Sequence, residues 1–467
     1  MSYTSTNLSD TIVALATPPG VGAIGVIRLS GKVAIDIVDP LFHGKKLSEQ
    51  SSHTIHLGTI RDGDRILDEV LVSLFVAPKS YTGENVVEVS CHGSNYIIQE
   101  LIQLFVDKGA RLAEPGEFTM RAFLNGKMDL SQAEAVADLI ASSSESAHQV
   151  ALQQMRGGFS DEIQKLRQEL IDFASLIELE LDFGEEDVEF ANREDLRQLV
   201  QKIRKLIQGL IDSFRLGNAI KNGISTVIAG RPNAGKSTLL NALLNEERAI
   251  VSDIAGTTRD TIEEVLNIKG VQFRIVDTAG IRNAEDTIEA IGVEKTMQKI
   301  QQSALLLYVF DVIEMQAEEV RADLEKLIQP NVHTLVLANK MDQNPYTKFE
   351  HYFGEGAATL ITPAQWIPLS AKNGMNIPHL KDQLYQSVLD ERVKADGTIV
   401  TNARHYEALR RAEESLAAVL QGMDTGVTSD FIAMDIRQAL HYLGEITGQI
   451  STEDLLGNIF GKFCIGK

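Results

Sequence analysis

The stretch "STVIAGRPNAGKSTLLNAL", residues 225–243, decides the fold of the middle of the chain. An apolar run typical of a strand leads through Gly230-x-x-x-x-Gly235-Lys236-Ser237 into a predicted helix, which is the context that a phosphate-binding loop requires. Glycines let backbone N–H groups approach phosphate oxygens, Lys236 adds a positive charge, and the Ser237 hydroxyl can bind Mg²⁺. The predicted nucleotide contacts here are Asn233, Ala234, Gly235, Lys236, Ser237 and Thr238, and Lys236 is also a catalytic candidate.

Three further motifs each follow a predicted strand. "FRIVDTAG" (273–280) ends a strand with Asp277, which can hold the Mg²⁺ shell, and "LVLANKMD" (335–342) and "IPLSAK" (367–372) end two others. They resemble the G motifs of translation-factor-type GTPases, and this resemblance implies that Asp342 accepts hydrogen bonds from guanine. The predicted nucleotide contacts in these motifs are Asp277, Thr278, Ala279, Gly280, Asn339, Lys340, Asp342, Ser370, Ala371 and Lys372.

Between the first two motifs lies "IVSDIAGTTRD" (250–260), in which Thr258 is a predicted Mg²⁺ ligand. Its G-T-T-R-D form resembles a GTPase group in which a hydrophobic residue replaces the catalytic glutamine. Ile281 stands in that region here, and an aliphatic side chain cannot orient water. The predicted nucleotide contacts of this segment are Ser252, Asp253, Ile254, Ala255, Gly256, Thr257 and Thr258.

Composition limits the class of protein. The 467 residues include 44% apolar residues, enough for several cores, and the net charge of -21 argues against broad non-specific nucleic-acid binding while leaving a local basic patch possible. The only cysteines, Cys91 and Cys464, form no disulfide framework or zinc motif. The start "MSYTSTNLSD" shows no targeting signal, and no apolar run approaches the ~20 residues of a membrane span, so we expect a soluble, cytoplasmic protein.

Hydrophobic periodicity predicts a multidomain fold, α/β plus all-α. Short β-branched segments and the helix "SNYIIQELIQLFVDKG" indicate an N-terminal α/β domain over residues 1–125. Helical spacing, as from Leu152 to Ile177, indicates a discontinuous helical domain that the G domain interrupts, and the acidic stretch "DFGEEDVEF" (182–190) is interpreted as a solvated turn. The predicted ranges are 126–220 and 389–467 for the helical domain and 221–388 for the G domain.

The motifs together resemble one family. The match runs from "DTIVALATPPG" through "PGEFTMRAFLNGKMDLSQAEAVADLI" and the G motifs to the final "CIGK". The chain is thereby identified as a member of the MnmE (TrmE) family of tRNA-modification GTPases. The ribosome-assembly GTPases share the G motifs but lack this N-terminal domain and tail.

The resemblance implies an enzyme that works with the FAD-dependent partner MnmG, expected as a heterotetramer. The pair is implied to build a carboxymethylaminomethyl-type group at C5 of the wobble uridine of certain tRNAs, with one carbon from a tetrahydrofolate derivative in its 5-formyl or methylene form. The N-terminal domain is implied to bind folate and to form a homodimer. The implied folate contacts are Arg28, Glu88, Lys127 and Lys467. From the residues alone, Arg28 and Lys127 could equally be solvated surface charges.

The apolar tail is expected to be held down, and two interpretations of Cys464 stay open: a thiol near the transferred carbon, or a small buried hydrophobe. The Cys91-His92 pair is predicted to be structural, because neighbours on a strand face opposite sides.

Because Ile281 cannot orient water, the family's K⁺ ion is implied to offset charge on the phosphates. Its implied ligands are Asn233, Ser252, Ile254 and Thr257, and Glu289 is the implied catalytic carboxylate, chosen over Glu285 and Asp286.

Two other functions remain open at this point. One is a ribosome-assembly or translation-associated GTPase that acts by binding and release. The other is a folate-bound structural dimer whose GTPase times assembly while the partner performs the redox chemistry.

Overall fold

The computed structural model describes residues 10–182, 193–247, 264–276, 299–301, 303–330, 332–354, 360–387 and 398–466. These residues form two compact units. The first contains residues up to Ala141, Ala151–Ile203 and Arg411–Lys467, and the second contains Ser142–Val150 and Arg204–Arg410. No helix in these ranges is both long and apolar enough to cross a membrane.

The strands, in chain order, are β1 Ile12–Leu15, β2 Ile24–Ser30, β3 Phe42–His43, β4 Thr54–Asp62, β5 Arg65–Phe75, β6 Val86–His92, β7 Arg111–Leu112, β8 Ile224–Ala229, β9 Glu264–Ile268, β10 Val271–Ile275, β11 Leu305–Asp311, β12 His333–Asn339 and β13 Trp366–Pro368.

The helices, in chain order, are α1 Ala34–Val38, α2 Asn95–Asp107, α3 Glu117–Leu124, α4 Leu130–Ala141, α5 Glu145–Met155, α6 Gly158–Asp182, α7 Arg193–Asn222, α8 Lys236–Glu247, α9 Ala317–Leu327, α10 Phe349–Phe353, α11 Ile377–Gln386, α12 Ala403–Thr425, α13 Ser429–Thr447 and α14 Glu453–Phe460. Short 3-10 turns lie at Asp39–Leu41, Leu47–Glu49 and Pro363–Gln365.

The first unit contains a seven-stranded sheet in the order β3-β4-β5-β6-β2-β1-β7. Its pairs are antiparallel except β1 with β7. Alternate residues of β2, β5 and β6 point into a core beneath α1 and α2, as the period of two predicts. Cys91 belongs to this core and His92 is exposed, which confirms that the two neighbours face opposite sides.

Long helices complete the first unit. Apolar positions of α6, including Ile163, Leu166 and Leu170, are buried, and α6 packs along α13. The helical spacing expected from Leu152 onward is interrupted between α5 and α6, because Gly157 adopts a φ of +93° that helical residues do not. The acidic stretch 183–190 lies outside the described residues.

The second unit contains a six-stranded sheet in the order β13-β12-β11-β8-β10-β9. All neighbouring strands are parallel except β9 and β10. The central strand β11 is buried along its whole length, as expected for a parallel strand covered on both faces. In such sheets the carboxyl ends of the strands form the binding edge. The segments "NAGKS", "NKMD" and "SAK" lie at or just after the carboxyl ends of β8, β12 and β13.

Candidate functional site

The phosphate-binding loop connects β8 to α8. Gly230 has a φ of +153° and Gly235 a φ of +96°, values that other residues rarely adopt. A Cβ atom at Gly230 would collide with the carbonyl oxygen of Val309, and one at Gly235 would collide with the side-chain amide of Asn339. Both glycines are therefore required for this loop to lie close against the neighbouring strands.

The ammonium group of Lys236 closes the loop on itself. Its Nζ donates hydrogen bonds to the carbonyl oxygens of Gly230, at 2.7 Å, and Arg231, at 2.8 Å. Burial lowers the pKa of Lys236, since a charged group loses hydration there. An ammonium has three donors, so two hold the loop and the third can serve a phosphate oxygen.

Asn339 joins three of the predicted motifs. Its side-chain Nδ2 donates to the carbonyl oxygen of Ala234 at 2.8 Å, and its Oδ1 accepts from the backbone N–H of Ala371 at 3.0 Å. Lys340, which has a φ of +67°, pairs with Asp311 at the end of β11, with 2.5 Å between Nζ and Oδ2. The structure thus brings the "NAGKS", "NKMD" and "SAK" segments together at one edge of the sheet.

The remaining nucleotide candidates differ in exposure. Asp342 and Lys372 are exposed and Ser370 is buried, so the carboxylate of Asp342 is open to an arriving base. In the loop, Asn233 and Thr238 are exposed and Ser237 is half-buried. Thirteen predicted residues lie outside the described part of the chain: Ser252, Asp253, Ile254, Ala255, Gly256, Thr257, Thr258, Asp277, Thr278, Ala279, Gly280, Glu289 and Lys467.

A second group of polar residues lies in the first unit. Arg28 on β2 is opposite Glu88 on β6, and the two side chains pair with 2.8 Å between Nη2 and Oε1. The guanidinium also lies 5.7 Å from the ring centre of Tyr81 and 5.6 Å from that of Phe118. The side chain of Arg28 is only 22% exposed, which excludes the alternative of a solvated surface charge.

The C-terminal tail packs against the same region. Within the tail, the rings of Phe460 and Phe463 lie 5.5 Å apart. The backbone N–H of Gly116 donates to the carbonyl oxygen of Cys464 at 3.4 Å. Arg28 Nη1 donates to the carbonyl oxygen of Gly466 at 3.3 Å. The tail is therefore held down, as its apolar sequence predicted. The thiol of Cys464 is exposed, so the interpretation of this residue as a buried hydrophobe is wrong.

Lys127 lies between α3 and α4. Its Nζ donates to the carbonyl oxygen of Pro78 at 3.1 Å, and its aliphatic stem passes beside Gly83. It thus contacts the segment that carries Tyr81 and does not contact Arg28 or Glu88 directly in the described hydrogen bonds.

Sequence reasoning missed the buried ionic cluster behind this site. Arg121, 1% exposed, pairs with Asp10, Glu84 and Glu117. Burial alone would raise the pKa of Glu117, but hydrogen bonds from Arg111 and Arg121 outweigh it and hold that pKa below its usual value. Glu84 also accepts from Ser30, two residues after Arg28 on the same strand, at 2.7 Å. The four-residue spacing of Glu117 and Arg121 on a helix is the sequence feature that could have predicted this ion pair.

The chemistry of the donor sets agrees with the implied ligands. Arg28, Tyr81 and Glu88 offer a cation, an aromatic face and a carboxylate. These groups can pair with an anion, stack on a planar ring and accept hydrogen bonds from ring N–H groups. The loop of Lys236 and Ser237 offers what a magnesium nucleotide needs. Among the described residues, no cluster of three or more His, Cys, Asp or Glu side chains could hold a metal ion by itself.

Comparison with known proteins identifies relatives over nearly the whole chain. The family model described as "MnmE helical domain" matches residues 130–464, and the one described as "GTP-binding protein TrmE N-terminus" matches residues 11–127. The "tRNA modification GTPase MnmE" of Cytophaga hutchinsonii is 57% identical over 99% of both chains. That of Christiangramia forsetii is 55% identical over 98% of this chain and 100% of its own.

A solved GTP-binding protein from Sulfolobus solfataricus, in complex with GDP, is 20% identical to this chain. The likeness covers 48% of this chain and 67% of that one with a TM-score of 0.26, which is too slight to carry an argument.

Proposed function

This chain belongs to the MnmE family of tRNA modification GTPases, and we propose that it uses GTP hydrolysis to form a carboxymethylaminomethyl-type group at C5 of the wobble uridine of certain tRNAs. One observation carries the proposal: the chain is similar to these enzymes over 99% of its length and also contains two ordered polar sites. These sites are the phosphate-binding loop with Lys236 and the Arg28–Glu88 pair beside the tail.

At the nucleotide site, the protein's own groups bind and orient GTP. Backbone N–H groups from Asn233 to Thr238 receive the phosphates, and the Lys236 ammonium gives its third donor to the β/γ oxygens. Asp342 accepts hydrogen bonds from guanine, and Asn339 fixes the distance between base and phosphate subsites because it holds both segments. Ser237, Thr258 and Asp277 would hold Mg²⁺, which would neutralise charge at the phosphates.

Hydrolysis in this proposal is potassium-dependent. Asn233, Ser252, Ile254 and Thr257 would be the K⁺ ligands. The exposed side chain of Asn233 offers an amide oxygen, the hard type of ligand that such cations prefer. The ion would supply the positive charge that an arginine provides in other GTPases. Glu289 positions the attacking water in place of the glutamine that is absent.

The N-terminal site holds the one-carbon donor, a tetrahydrofolate derivative. Arg28, Glu88, Lys127 and Lys467 are its contacts, with Arg28 kept in place by the tail carbonyl of Gly466. A folate bound there would supply the carbon that is transferred. The exposed thiol of Cys464 lies on the tail that Arg28 holds, so it can reach a reacting carbon at this site.

Partners follow from the same family. We propose a homodimer through the N-terminal domain and a heterotetramer with the FAD-dependent protein MnmG, which contributes the redox step. The proposed domains are 1–125 for folate binding and dimerisation, 126–220 and 389–467 for the helical domain, and 221–388 for the G domain. tRNA binding must use a local basic patch, since the net charge is -21.

The test is nucleoside analysis of wobble uridines in a strain that lacks the gene. Complementation with the wild-type chain should restore the modified nucleoside, whereas Lys236→Ala or Cys464→Ser should not. A strain that keeps the modification without the gene would support the ribosome-associated alternative. If Cys464→Ser restores the modified nucleoside, the thiol takes no part in the reaction and Cys464 is only a structural residue of the tail.

A further inference from the structure

The side chain of Arg231 ties the phosphate-binding loop to a neighbouring helix. Arg231 follows Gly230, and its guanidinium turns away from the loop toward the first two turns of α9. Nη1 donates to Glu319 Oε1 at 2.5 Å, Nε donates to Asp323 Oδ2 at 2.9 Å, and Nη2 donates to Asp323 Oδ1 at 3.2 Å. The two carboxylates are four residues apart, on one face of the helix, so the guanidinium meets three oxygens at once.

Both carboxylates are themselves fixed. Glu319 Oε2 accepts from the backbone N–H of Gln316 at 3.0 Å, which caps α9, and this bond together with the Arg231 guanidinium holds the pKa of Glu319 below its usual value. Asp323 Oδ2 also accepts from the hydroxyl of Tyr308 at 2.9 Å. Because Tyr308 is fully buried on β11, the anchor is attached to the central strand of the sheet.

The backbone of the same residue holds the Lys236 ammonium, whose contact with the phosphates is part of the proposed function on which this inference rests. The carbonyl oxygen of Arg231 accepts from Lys236 Nζ at 2.8 Å and from the backbone N–H of Ala234 at 3.3 Å. We propose that Arg231 is a positioning residue for GTP hydrolysis: its anchored side chain fixes the peptide carbonyl that aims Lys236 at the phosphates. Nothing in the motif pattern assigns this role, since the motif fixes only Gly230, Gly235, Lys236 and Ser237.

The competing explanation is that the ion pairs of Arg231 only stabilise the fold. The solvent exposure of these side chains argues against it. The side chains of Arg231, Glu319 and Asp323 are 40%, 41% and 20% exposed, and ion pairs with that much water around them contribute little to folding stability. The effect of removing the guanidinium should therefore appear in nucleotide handling while the melting temperature stays close to wild type.

The experiment compares Arg231→Ala and Arg231→Lys with Arg321→Ala in the full-length protein. Arg321 lies on the same helix and pairs with Glu318 at the surface at 3.1 Å, so it is a matched control without a link to the loop. Since a misplacement of about 1 Å can cost on the order of 10²-fold in rate, we expect kcat/KM of Arg231→Ala to fall by about 10- to 100-fold. Arg231→Lys should lie in between, because an ammonium cannot make the forked contact. Arg321→Ala should match wild type.

A double-mutant cycle with Lys236 separates positioning from structure. GTP-analogue affinity is measured for Arg231→Ala, Lys236→Ala and the double variant, alongside their melting temperatures. If Arg231 acts through Lys236, its removal should weaken binding only while the lysine is present. An equal loss with and without Lys236, or an Arg231→Ala enzyme no slower than Arg321→Ala, would overturn the proposal. An Arg231→Ala protein whose melting temperature falls sharply would also count against it.

Discussion

Replacing Gly466 with alanine should release the C-terminal tail without disturbing the rest of the protein. Gly466 has a φ of +96° and lies directly over the start of the loop after β1. A Cβ atom there would stand 3.0 Å from the carbonyl carbon of Leu15, 3.2 Å from the Cα of Ala16, and closer still to the oxygen of Leu15. Backbone atoms cannot move aside as a flexible side chain can, so the tail must leave.

The size of the effect follows from the backbone. A non-glycine residue held in such a sparsely populated conformation costs about 1–3 kcal/mol, before the collision with Leu15 is counted. A difference of about 1–3 kcal/mol changes an equilibrium by roughly 5- to 150-fold, and the docked fraction should fall accordingly. The undocked tail loses the hydrogen bond from Arg28 to the carbonyl of Gly466 and the one from Gly116 to that of Cys464.

The assay uses the difference between the two cysteines. Cys464 is exposed, whereas Cys91 is buried and its pKa is raised to about 11 by burial, so a trifluoromethyl reagent at neutral pH labels the tail alone. Fluorine NMR should show a narrow resonance of a mobile tail in Gly466→Ala and a broader docked one in wild type. Gly63→Ala is the control, because Gly63 has a φ of +58° with open space around it. A docked resonance that is unchanged in Gly466→Ala would show that the tail tolerates a Cβ atom at this position.

Three further predictions concern the nucleotide site. Asp342→Asn should weaken GTP binding by about 10- to 100-fold, the contribution of a hydrogen bond to a charged group, and should allow xanthosine triphosphate to bind. Titration with both nucleotides measures this, and an unchanged preference for GTP would contradict the assignment of Asp342 to guanine. Hydrolysis should be fast in KCl and slow in NaCl at equal ionic strength, and Asn233→Ala should lose this response while still binding GTP. The charge that K⁺ would supply replaces an arginine finger, which is worth roughly 10³–10⁵ in rate; equal rates in the two salts would exclude the potassium site. Glu289→Ala should bind GTP and lose turnover in a phosphate-release assay, and normal turnover would require a different carboxylate.

Local patterns were enough to predict the nucleotide-binding unit. Residues 225–243 give β8, the loop and α8 because a strand, two glycines and a helix follow one another without any distant partner. The same holds for α2, which ends at Asp107 just before Gly109 with a φ of +106°. Alternation on β6 likewise placed Cys91 inside and His92 outside.

The N-terminal site could not be derived from local pattern. Arg28 is 60 residues from Glu88 and 438 from Gly466, and no spacing rule connects them. Only the family resemblance selected Arg28 and Glu88, and neither pattern nor resemblance pointed to Tyr81 and Phe118, whose rings face the guanidinium. Such contacts are fixed by how the strands pair and where the tail returns.

Direct transfer of a labelled carbon tests the central claim most closely. Unmodified tRNA from a strain lacking the gene is incubated with the purified chain, the proposed FAD-dependent partner, GTP, KCl and a tetrahydrofolate derivative that carries ¹³C in its one-carbon unit. We expect mass spectrometry to find the label at the wobble uridine, and Lys236→Ala or a GTP analogue that resists hydrolysis to prevent its appearance. A wobble nucleoside that is modified without the label, or labelled equally well without GTP hydrolysis, would contradict it.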